Sequence, residues 1–224
     1  MYCSRDYWQA KREGIVVHSI VARIHDIFNN EMLRSFLSKF RYPMFIAFFI
    51  LLIPQIRASL LLPGFLMSLF GELIQLWSFA SLEKNRTLAV KGPYMLTRNP
   101  MYIGRFFLIL GGIILIGNIW VILGFIVVYY FYALNRVKRE ERRLGLLFGE
   151  QYEDYCRELN RFMPSLKLLN RRTLWFFKWD LFLQNNGHKN LMAVLSGYLV
   201  LYLYPVTVMS PMKHNLPLIT AGLF

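Results

Sequence analysis

The run MYIGRFFLILGGIILIGNIWVILGFIVVYYFYALN, from Met101 to Asn135, decides the fold because Arg105 is its only charged residue. Gly117 and Asn118 divide the run in the middle, and such a pair between two apolar segments is typical of a tight turn. Each half has about 17 residues, which is at the short end of what a helix needs to cross a bilayer. The run therefore predicts a helical hairpin that either just crosses the membrane or enters it and returns.

Two other apolar segments flank this hairpin. From Tyr42 to Leu82 only Arg57 and Glu72 are charged, which leaves room for two helices of about 20 residues with a turn near Pro54. The segment from Asn190 to Met209 is long enough for one more. The chain is 56% hydrophobic and 17% charged, whereas soluble domains are about a quarter charged. These features predict one all-α integral membrane domain over residues 1–224, with about five transmembrane helices.

The basic residues predict the orientation of these helices. Lys and Arg number seven before Tyr42, four from Lys84 to Arg98 and twelve from Arg136 to Lys189, out of 26 in the chain. The segments between these regions carry one or none, and basic segments lie on the cytoplasmic side of a membrane. The N-terminus and the two basic segments are therefore expected to be cytoplasmic. The same charges explain the net charge of +13 without nucleic-acid binding.

Two segments are predicted to lie at the membrane surface. Residues 1–41 contain apolar positions at helical spacing with charges between them, which is typical of an interfacial amphipathic helix. Residues 165–189 contain Trp175, Phe176, Phe177 and Trp179 beside basic residues, which is typical of an aromatic anchor at the headgroup level. For both segments the alternative is packing against the helix bundle. Residues 190–224 would form the last span and a tail.

The segment from Lys91 to Gly104 reads KGPYMLTRNPMYIG and contains the first candidate site residues. Gly92-Pro93 predicts a turn, while Asn99 suits the cap of the following helix and Pro100 its first position. The first turn of a helix attracts an anion, and Arg98 beside it would grip a carboxylate through two parallel hydrogen bonds. The alternative is a plain loop-to-helix junction whose arginine reaches a lipid phosphate.

The segment from Arg136 to Pro164 reads RVKREERRLGLLFGEQYEDYCRELNRFMP and places Glu140 and Glu141 among five basic residues. Gly149 is expected to interrupt the helix. The predicted hairpin brings this segment to the same end as Arg98. An arginine, a helix N-terminus and two carboxylates suit a zwitterionic amino-acid group. The alternative is mutual neutralisation of the charges on a solvated helix face.

Four pieces of sequence together resemble the isoprenylcysteine carboxyl methyltransferase family, which is related to the phospholipid N-methyltransferases. They are G-P-Y-x-x-T-R-N-P-x-Y-x-G from Gly92, E-E from Glu140, F-G-x-x-Y-x-x-Y from Phe148 and R-F-x-P from Arg161. The resemblance covers roughly residues 71–164, which it implies are the methyltransferase core. It also implies a pocket for S-adenosylmethionine between the membrane helices and the cytoplasmic or interfacial helices.

The same resemblance implies which residues surround the cofactor. They are Tyr94, Arg98, Asn99, Pro100, Tyr102, Glu140, Glu141, Tyr152 and Tyr155. Many family members have histidine where this chain has Asn99. Since an asparagine side chain does not titrate near neutral pH, a base at that position is excluded here.

The expected function is S-adenosylmethionine-dependent methylation of a lipophilic acceptor at the cytoplasmic boundary. Carboxyl O-methylation of an isoprenylcysteine-like small molecule or peptide is the first choice, and N-methylation of an aminophospholipid or another small lipophilic acceptor is the alternative. Arg98 and Glu141 are the candidate catalytic residues, with Glu141 as the base that only an amine acceptor needs. Arg136 and Arg139 are candidates for substrate binding.

Glu72 is a further substrate-binding candidate, because an acid inside an apolar span is often functional. The alternatives are an ion pair with Arg105 or a place near the cytoplasmic boundary. The scattered histidines and the two cysteines, Cys3 and Cys156, predict no metal site.

Three other classes of function compete with methyl transfer. A membrane reductase would share a similar pocket but would need room for a nicotinamide dinucleotide. A transporter would normally show an internal repeat, which the sequence lacks. A non-catalytic scaffold would tolerate loss of the glutamate pair.

Overall fold

The computed structural model describes residues 55–83, 87–165 and 171–204, together with isolated positions between 26 and 43. The predicted helix after Tyr42, most of the amphipathic segment and the tail from residue 205 lie outside the described residues. The described part is helical and contains no strand. Its helices are α1 (Leu61–Ser81), α2 (Pro100–Ile114), α3 (Ile119–Phe148), α4 (Glu150–Glu158), α5 (Arg171–Leu174), α6 (Trp179–Gln184) and α7 (Gly187–Tyr204).

The predicted hairpin is formed by α2 and α3. Gly117 takes a φ of 65°, which favours glycine, and the Asn118 side chain accepts a hydrogen bond of 2.9 Å from the Trp120 backbone N–H. The helix break at Gly149 is also confirmed, with a φ of 53°. At about 1.5 Å per residue, the 30 residues of α3 exceed the thickness of the bilayer core, so its charged end extends beyond the apolar part.

Among the described residues, two helices are long and apolar enough to cross a membrane, Ala58–Ser81 and Ile119–Phe148. The 15 residues of α2 span only about 22 Å, which is less than the bilayer core. Within the described residues, the five predicted spans are therefore not confirmed. For the part of the chain that the structure describes, the prediction of an all-helical fold with membrane-type helices is confirmed.

The sides of α1 are the reverse of those of a soluble amphipathic helix. Its exposed side carries large apolar residues, namely Leu62, Leu66, Phe70 and Leu73. Its buried side carries small or polar residues, namely Gly64, Ser68, Gly71, Glu72 and Gln75. Membrane helices pack in this way, because small residues let the backbones approach while apolar side chains face lipid. The pattern supports membrane association.

The closest packing in the described part joins α1 to α2. A Cβ atom on Gly71 would lie 2.5 Å from the carbonyl oxygen of Gly104, and a Cβ on Gly64 would lie 2.7 Å from that of Gly111. Between these two points, the Ser68 hydroxyl lies 2.7 Å from the Leu108 carbonyl oxygen. The glycines therefore let two backbones pack directly, which fixes the position of the start of α2.

Helix α7 runs antiparallel to α1 and is held there by polar contacts. Asn185 donates to the Phe79 carbonyl oxygen at 2.8 Å, and Tyr198 donates to the Gly64 carbonyl oxygen at 3.0 Å. Between them, Asn190 Nδ2 lies 3.2 and 3.3 Å from the two carboxylate oxygens of Glu72. Hydrogen bonds of this kind hold helices together where the hydrophobic effect cannot.

Replacement of Asn190 by leucine should destabilise the protein by roughly 1–3 kcal/mol, because the buried Glu72 carboxylate loses a hydrogen-bond donor. Thermal unfolding in detergent measures this effect. A second leucine at Glu72 should recover part of the loss, since it removes the unsatisfied carboxylate. Ser196→Ala, at an exposed position of α7, is the matched control. Equal unfolding temperatures for Asn190→Leu and the control would contradict the role of this contact.

Candidate active site

The loop between α1 and α2 forms one wall of the candidate site. Its residues Gly92–Met95 make a 3-10 turn, in which Gly92 has a φ of 62° and lies against the Ser81 side chain. A side chain at Gly92 would be strained by that φ and would collide with Ser81. The turn therefore folds the loop back onto the end of α1 and buries Tyr94.

The segment after α4 runs alongside the start of α2. The Arg98 backbone N–H donates to the Asn160 carbonyl oxygen at 3.1 Å, and the Thr97 hydroxyl donates to that of Arg161 at 3.0 Å. Pro100 begins α2 as predicted. Asn99 occupies the cap position, but the prediction that its side chain caps the helix is wrong: its side-chain oxygen accepts no hydrogen bond from the first turn of α2. Its amide nitrogen donates to the Arg161 carbonyl oxygen at 3.3 Å.

Glu141 lies at the centre of a buried ion network. Arg161 approaches it with Nε 3.1 Å from Oε1 and Nη2 2.7 Å from Oε2, while Arg98 Nη1 lies 3.4 Å from Oε1. The side chains of Glu141 and Arg98 are only 6% and 9% exposed. Arg98 Nη1 also lies 2.7 Å from the Cys156 sulfur. The network ties the loop before α2 to α3 and to the segment after α4.

Glu140 lies in a different environment from its neighbour. It accepts a hydrogen bond of 2.9 Å from the Tyr102 hydroxyl, and Arg136 Nε lies 3.4 Å from the same oxygen. The side chains of Glu140 and Arg136 are 43% and 51% exposed. Successive residues of a helix point about 100° apart, so the two glutamates face different neighbours. Glu141 is thus held by two guanidinium groups, and Glu140 remains accessible.

Three tyrosines fill the space around the loop. Burial raises the pKa of the Tyr94, Tyr152 and Tyr155 hydroxyls above the usual range, so they stay protonated at physiological pH. The Tyr155 hydroxyl donates to the Tyr94 carbonyl oxygen at 2.6 Å. These hydroxyls act as neutral hydrogen-bonding groups and not as bases.

Two adjoining cavities open between the loop and α4. The larger, of about 590 Å³, is lined by Thr87, Leu88, Val90, Phe148, Gln151, Asp154, Tyr155 and Glu158. The smaller, of about 80 Å³, includes Tyr94, Arg98, Tyr152 and Tyr155 in its lining. The larger volume lies in the range of about 300–1,000 Å³ that is usual for small-molecule sites. The walls combine apolar side chains with carboxylates at the rim.

One of the sequence-derived candidates, Glu72, lies apart from this group. Glu72 is fully buried near the middle of α1, where it contacts Asn190 and Gln75. At about 1.5 Å per residue, nine residues separate it from the end of α1 by roughly 13 Å. Glu72 does not form the ion pair with Arg105 that was one alternative for it. Arg139 is half-buried on α3.

Some residues of the candidate site were missed from the sequence. Arg161 is the main omission, although it begins the R-F-x-P piece that contributed to the resemblance. Cys156 and the apolar segment Thr87–Val90 were also missed. An arginine that is largely removed from water needs a carboxylate partner. The sequence does not show that the partner of Arg161 is one of the two glutamates, because folding brings them together.

Comparison with known proteins gives three similarities. Residues 60–151 match the family model described as phospholipid methyltransferase. The Xenopus laevis protein-S-isoprenylcysteine O-methyltransferase is 27% identical over 116 residues, covering 46% of this chain and 40% of that protein. The Schizosaccharomyces pombe (strain 972 / ATCC 24843) protein of the same name is 32% identical over 84 residues, covering 38% of this chain and 36% of that protein.

These similarities are partial, since the chain spans about two fifths of the length of these curated relatives. No solved structure matches it significantly. The region matched by the family model contains α1, α2 and α3 and the whole loop that carries Tyr94 and Arg98. The part of the chain that forms the helical core of the candidate site therefore matches the phospholipid methyltransferase family model. The chain is also similar to isoprenylcysteine O-methyltransferases, and the two findings together confirm the resemblance found in its motifs.

Proposed function

We propose that this chain is a membrane methyltransferase that uses S-adenosylmethionine to methylate a lipophilic acceptor at the cytoplasmic boundary of the membrane. One observation carries the proposal. Tyr94, Arg98, Tyr152 and Tyr155, which the motifs suggested as cofactor residues, line one cavity although they come from two distant segments. The names of the similar proteins support the same chemistry.

The residues around the two cavities fit the parts of this cofactor. Leu88, Val90 and Phe148 offer an apolar surface to an adenine ring, and the carboxylates of Asp154 and Glu158 offer acceptors to ribose hydroxyls. Arg98 at the smaller cavity would bind the amino-acid carboxylate. Asn99, Pro100 and Tyr102 follow Arg98 at the start of α2 and would form the side of the site nearest the membrane.

The two glutamates then have different roles. When bound, S-adenosylmethionine supplies an electrophilic methyl group, which a carboxylate oxygen accepts without loss of a proton. An amine acceptor must also lose a proton. The accessible Glu140 suits that task better than Glu141, our first candidate, because two arginines already hold the Glu141 carboxylate. Glu141 acts as a positioning residue that keeps Arg98 in place.

The acceptor is an isoprenylcysteine-like carboxylate in the first form of the proposal, because both curated relatives carry that name. The phospholipid methyltransferase family model favours an aminophospholipid as the second candidate. Incubation of the purified chain with labelled S-adenosylmethionine and either acceptor separates the two. A base-labile methyl ester would identify carboxyl methylation, and a stable N-methyl product would identify amine methylation.

The proposed membrane placement puts the candidate site on the cytoplasmic side of a multi-pass chain. The basic loops around the site support this orientation. Trp175, Phe177 and Trp179 are exposed, and the preceding backbone is fixed to the end of α1, where Trp77 Nε1 donates to the Phe176 carbonyl oxygen at 3.3 Å. The exposed aromatic side chains would therefore lie at the headgroup level of the membrane, at the end of α1 that is next to the candidate site.

Cofactor binding can be tested by narrowing the larger cavity. Val90 lines the larger cavity and is 42% exposed. Val90→Trp should fill part of this cavity and weaken binding of S-adenosylhomocysteine at least about tenfold by steric exclusion. Isothermal calorimetry on the full chain in nanodiscs measures the affinity. Val121→Trp, at a 38% exposed position on α3, is the matched control. Unchanged affinity in Val90→Trp would argue against this location.

The competing functions are separated by ligand-induced stabilisation. S-adenosylhomocysteine should raise the unfolding temperature of the full chain, because a ligand that binds only the folded state stabilises it. NADPH should have no effect. The reverse result would identify a reductase, and the absence of any effect with either ligand would favour a scaffold.

A further inference from the structure

Arg105 is a cation inside an otherwise apolar helix. It is the only charged residue from Met101 to Asn135, and its guanidinium lies 5.6 Å from the centre of the Tyr102 ring. None of the ion pairs found among the described residues involves it. An arginine is costly in an apolar membrane segment unless an anion or water compensates it. Arg105 is therefore expected to have a negatively charged partner.

The position of the Arg105 guanidinium indicates where this partner would bind. The Arg105 side chain reaches back towards the start of α2 and lies against the Tyr102 ring, and the Tyr102 hydroxyl donates to Glu140, the accessible glutamate of the candidate site. Arg136 contacts the same carboxylate oxygen from α3. The two arginines therefore approach Tyr102 from different helices.

The charges of this group are unbalanced. Arg105, Arg136 and Glu140 together carry one net positive charge, so one negative charge on a ligand would neutralise them. Both Arg136 and Glu140 are about half exposed, and Arg105 is half-buried, so a ligand has access. Such an anion would be held next to Glu140 and at the membrane side of the candidate site.

We propose that Arg105, together with Arg136, binds the anionic group of the methyl acceptor, which is a carboxylate or a phosphate on an amphiphile. This inference rests on the proposed function, because it assigns a role within the same site. It makes Arg105 a specificity-determining residue. An acceptor with a negative charge beside its methylated atom is favoured, and a neutral lipophile of the same shape is disfavoured.

The test measures binding without any cofactor, on the full chain in nanodiscs of neutral phosphatidylcholine. S-farnesyl-N-acetylcysteine and its neutral methyl ester form one pair of probes, and dodecyl phosphate and dodecanol form a second pair. The unchanged protein should bind the anionic member of at least one pair about tenfold more tightly, as one charged hydrogen bond would provide. In Arg105→Leu this preference should fall to less than about twofold.

Two variants control for other effects of the change. Arg57→Leu removes one positive charge near the turn that joins α2 to α3, at the other end of the helices, and should keep the full preference. Arg105→Lys keeps the charge and should retain part of it. An unfolding temperature within the range of the Arg57→Leu protein shows that Arg105→Leu is folded. A preference that survives in Arg105→Leu for both pairs would overturn the inference.

The two pairs of probes also identify the source of the anion. Preference for the farnesylated acid alone indicates a carboxylate acceptor, and preference for dodecyl phosphate alone indicates a phospholipid headgroup. In turnover assays, Arg105→Leu should raise the KM for the acceptor about tenfold and leave the KM for S-adenosylmethionine unchanged. If the unchanged chain shows the anion preference but binds no S-adenosylhomocysteine, the proposed function fails while anion binding by Arg105 stands.

Discussion

The Glu141→Gln protein should unfold with a free energy about 3–5 kcal/mol below that of the unchanged chain, and should lose most of its affinity for S-adenosylhomocysteine. Arg98 and Arg161 both depend on this carboxylate, and Arg98 and Glu141 are almost fully buried. A neutral amide removes the negative charge that faces both guanidinium groups, and breaking a buried ion pair by changing one partner costs far more than the ion pair itself contributes. Because Arg98 lines the smaller cavity, the loss extends to the ligand.

Glu140→Gln is the matched control for this prediction, because it makes the same change one residue away. Glu140 and Arg136 form a half-exposed pair, which contributes at most about 1 kcal/mol to stability. The unfolding temperature of the Glu140→Gln protein should therefore stay close to that of the unchanged chain. Chemical denaturation in detergent and calorimetry with S-adenosylhomocysteine measure the two effects. Similar stabilities for the two variants would show that Glu141 does not hold the loop in place.

Gly71→Ala should destabilise the chain by about 1–3 kcal/mol although it adds a single methyl group. The new carbon would lie 2.5 Å from the Gly104 carbonyl oxygen and 2.8 Å from the Phe107 carbonyl carbon, and neither backbone atom can rotate away. Helices α1 and α2 would have to separate. Since α2 begins at the candidate site, cofactor affinity should fall together with stability.

Gly112→Ala provides the opposite expectation on the same pair of helices. No atom lies within 4 Å of a Cβ at Gly112, so alanine should be tolerated and should even stabilise α2 by up to about 1 kcal/mol. Thermal unfolding followed by size-exclusion chromatography compares the two proteins. A Gly71→Ala protein as stable as Gly112→Ala would show that α1 and α2 do not pack directly.

Local features of the candidate site were predictable, while their partners were not. The start of α2 at Pro100 follows from the fixed φ of proline and its missing N–H. The contact between the loop before α2 and the end of α3 follows from the hairpin, and the structure brings Arg98 to 3.4 Å from Glu141. The Asn99 side chain was expected to cap α2, but it accepts no hydrogen bond from the first turn, and its amide nitrogen donates to the Arg161 carbonyl oxygen.

The adjacent glutamates show why the partners of the site residues could not be predicted from the sequence. In the sequence, Glu140 and Glu141 are equivalent acids among basic residues. Successive residues of a helix point about 100° apart, so Glu140 faces Tyr102 and Glu141 faces Arg161. Arg161 is 20 residues further along the chain than Glu141. No local pattern states which arginine will meet which glutamate, because that depends on how α4 and the segment after it return to α3.

The sequence by itself determined the membrane-type hairpin from Met101 to Asn135, its turn at Gly117-Asn118 and the helix break at Gly149. These features depend on apolar length and on the conformations that single residues allow, so they can be read locally. Only the tertiary structure decided that Arg161 joins Arg98 at Glu141 and that Asn190 meets Glu72. These contacts join distant segments, and the packing of whole helices determines which buried charges become neighbours.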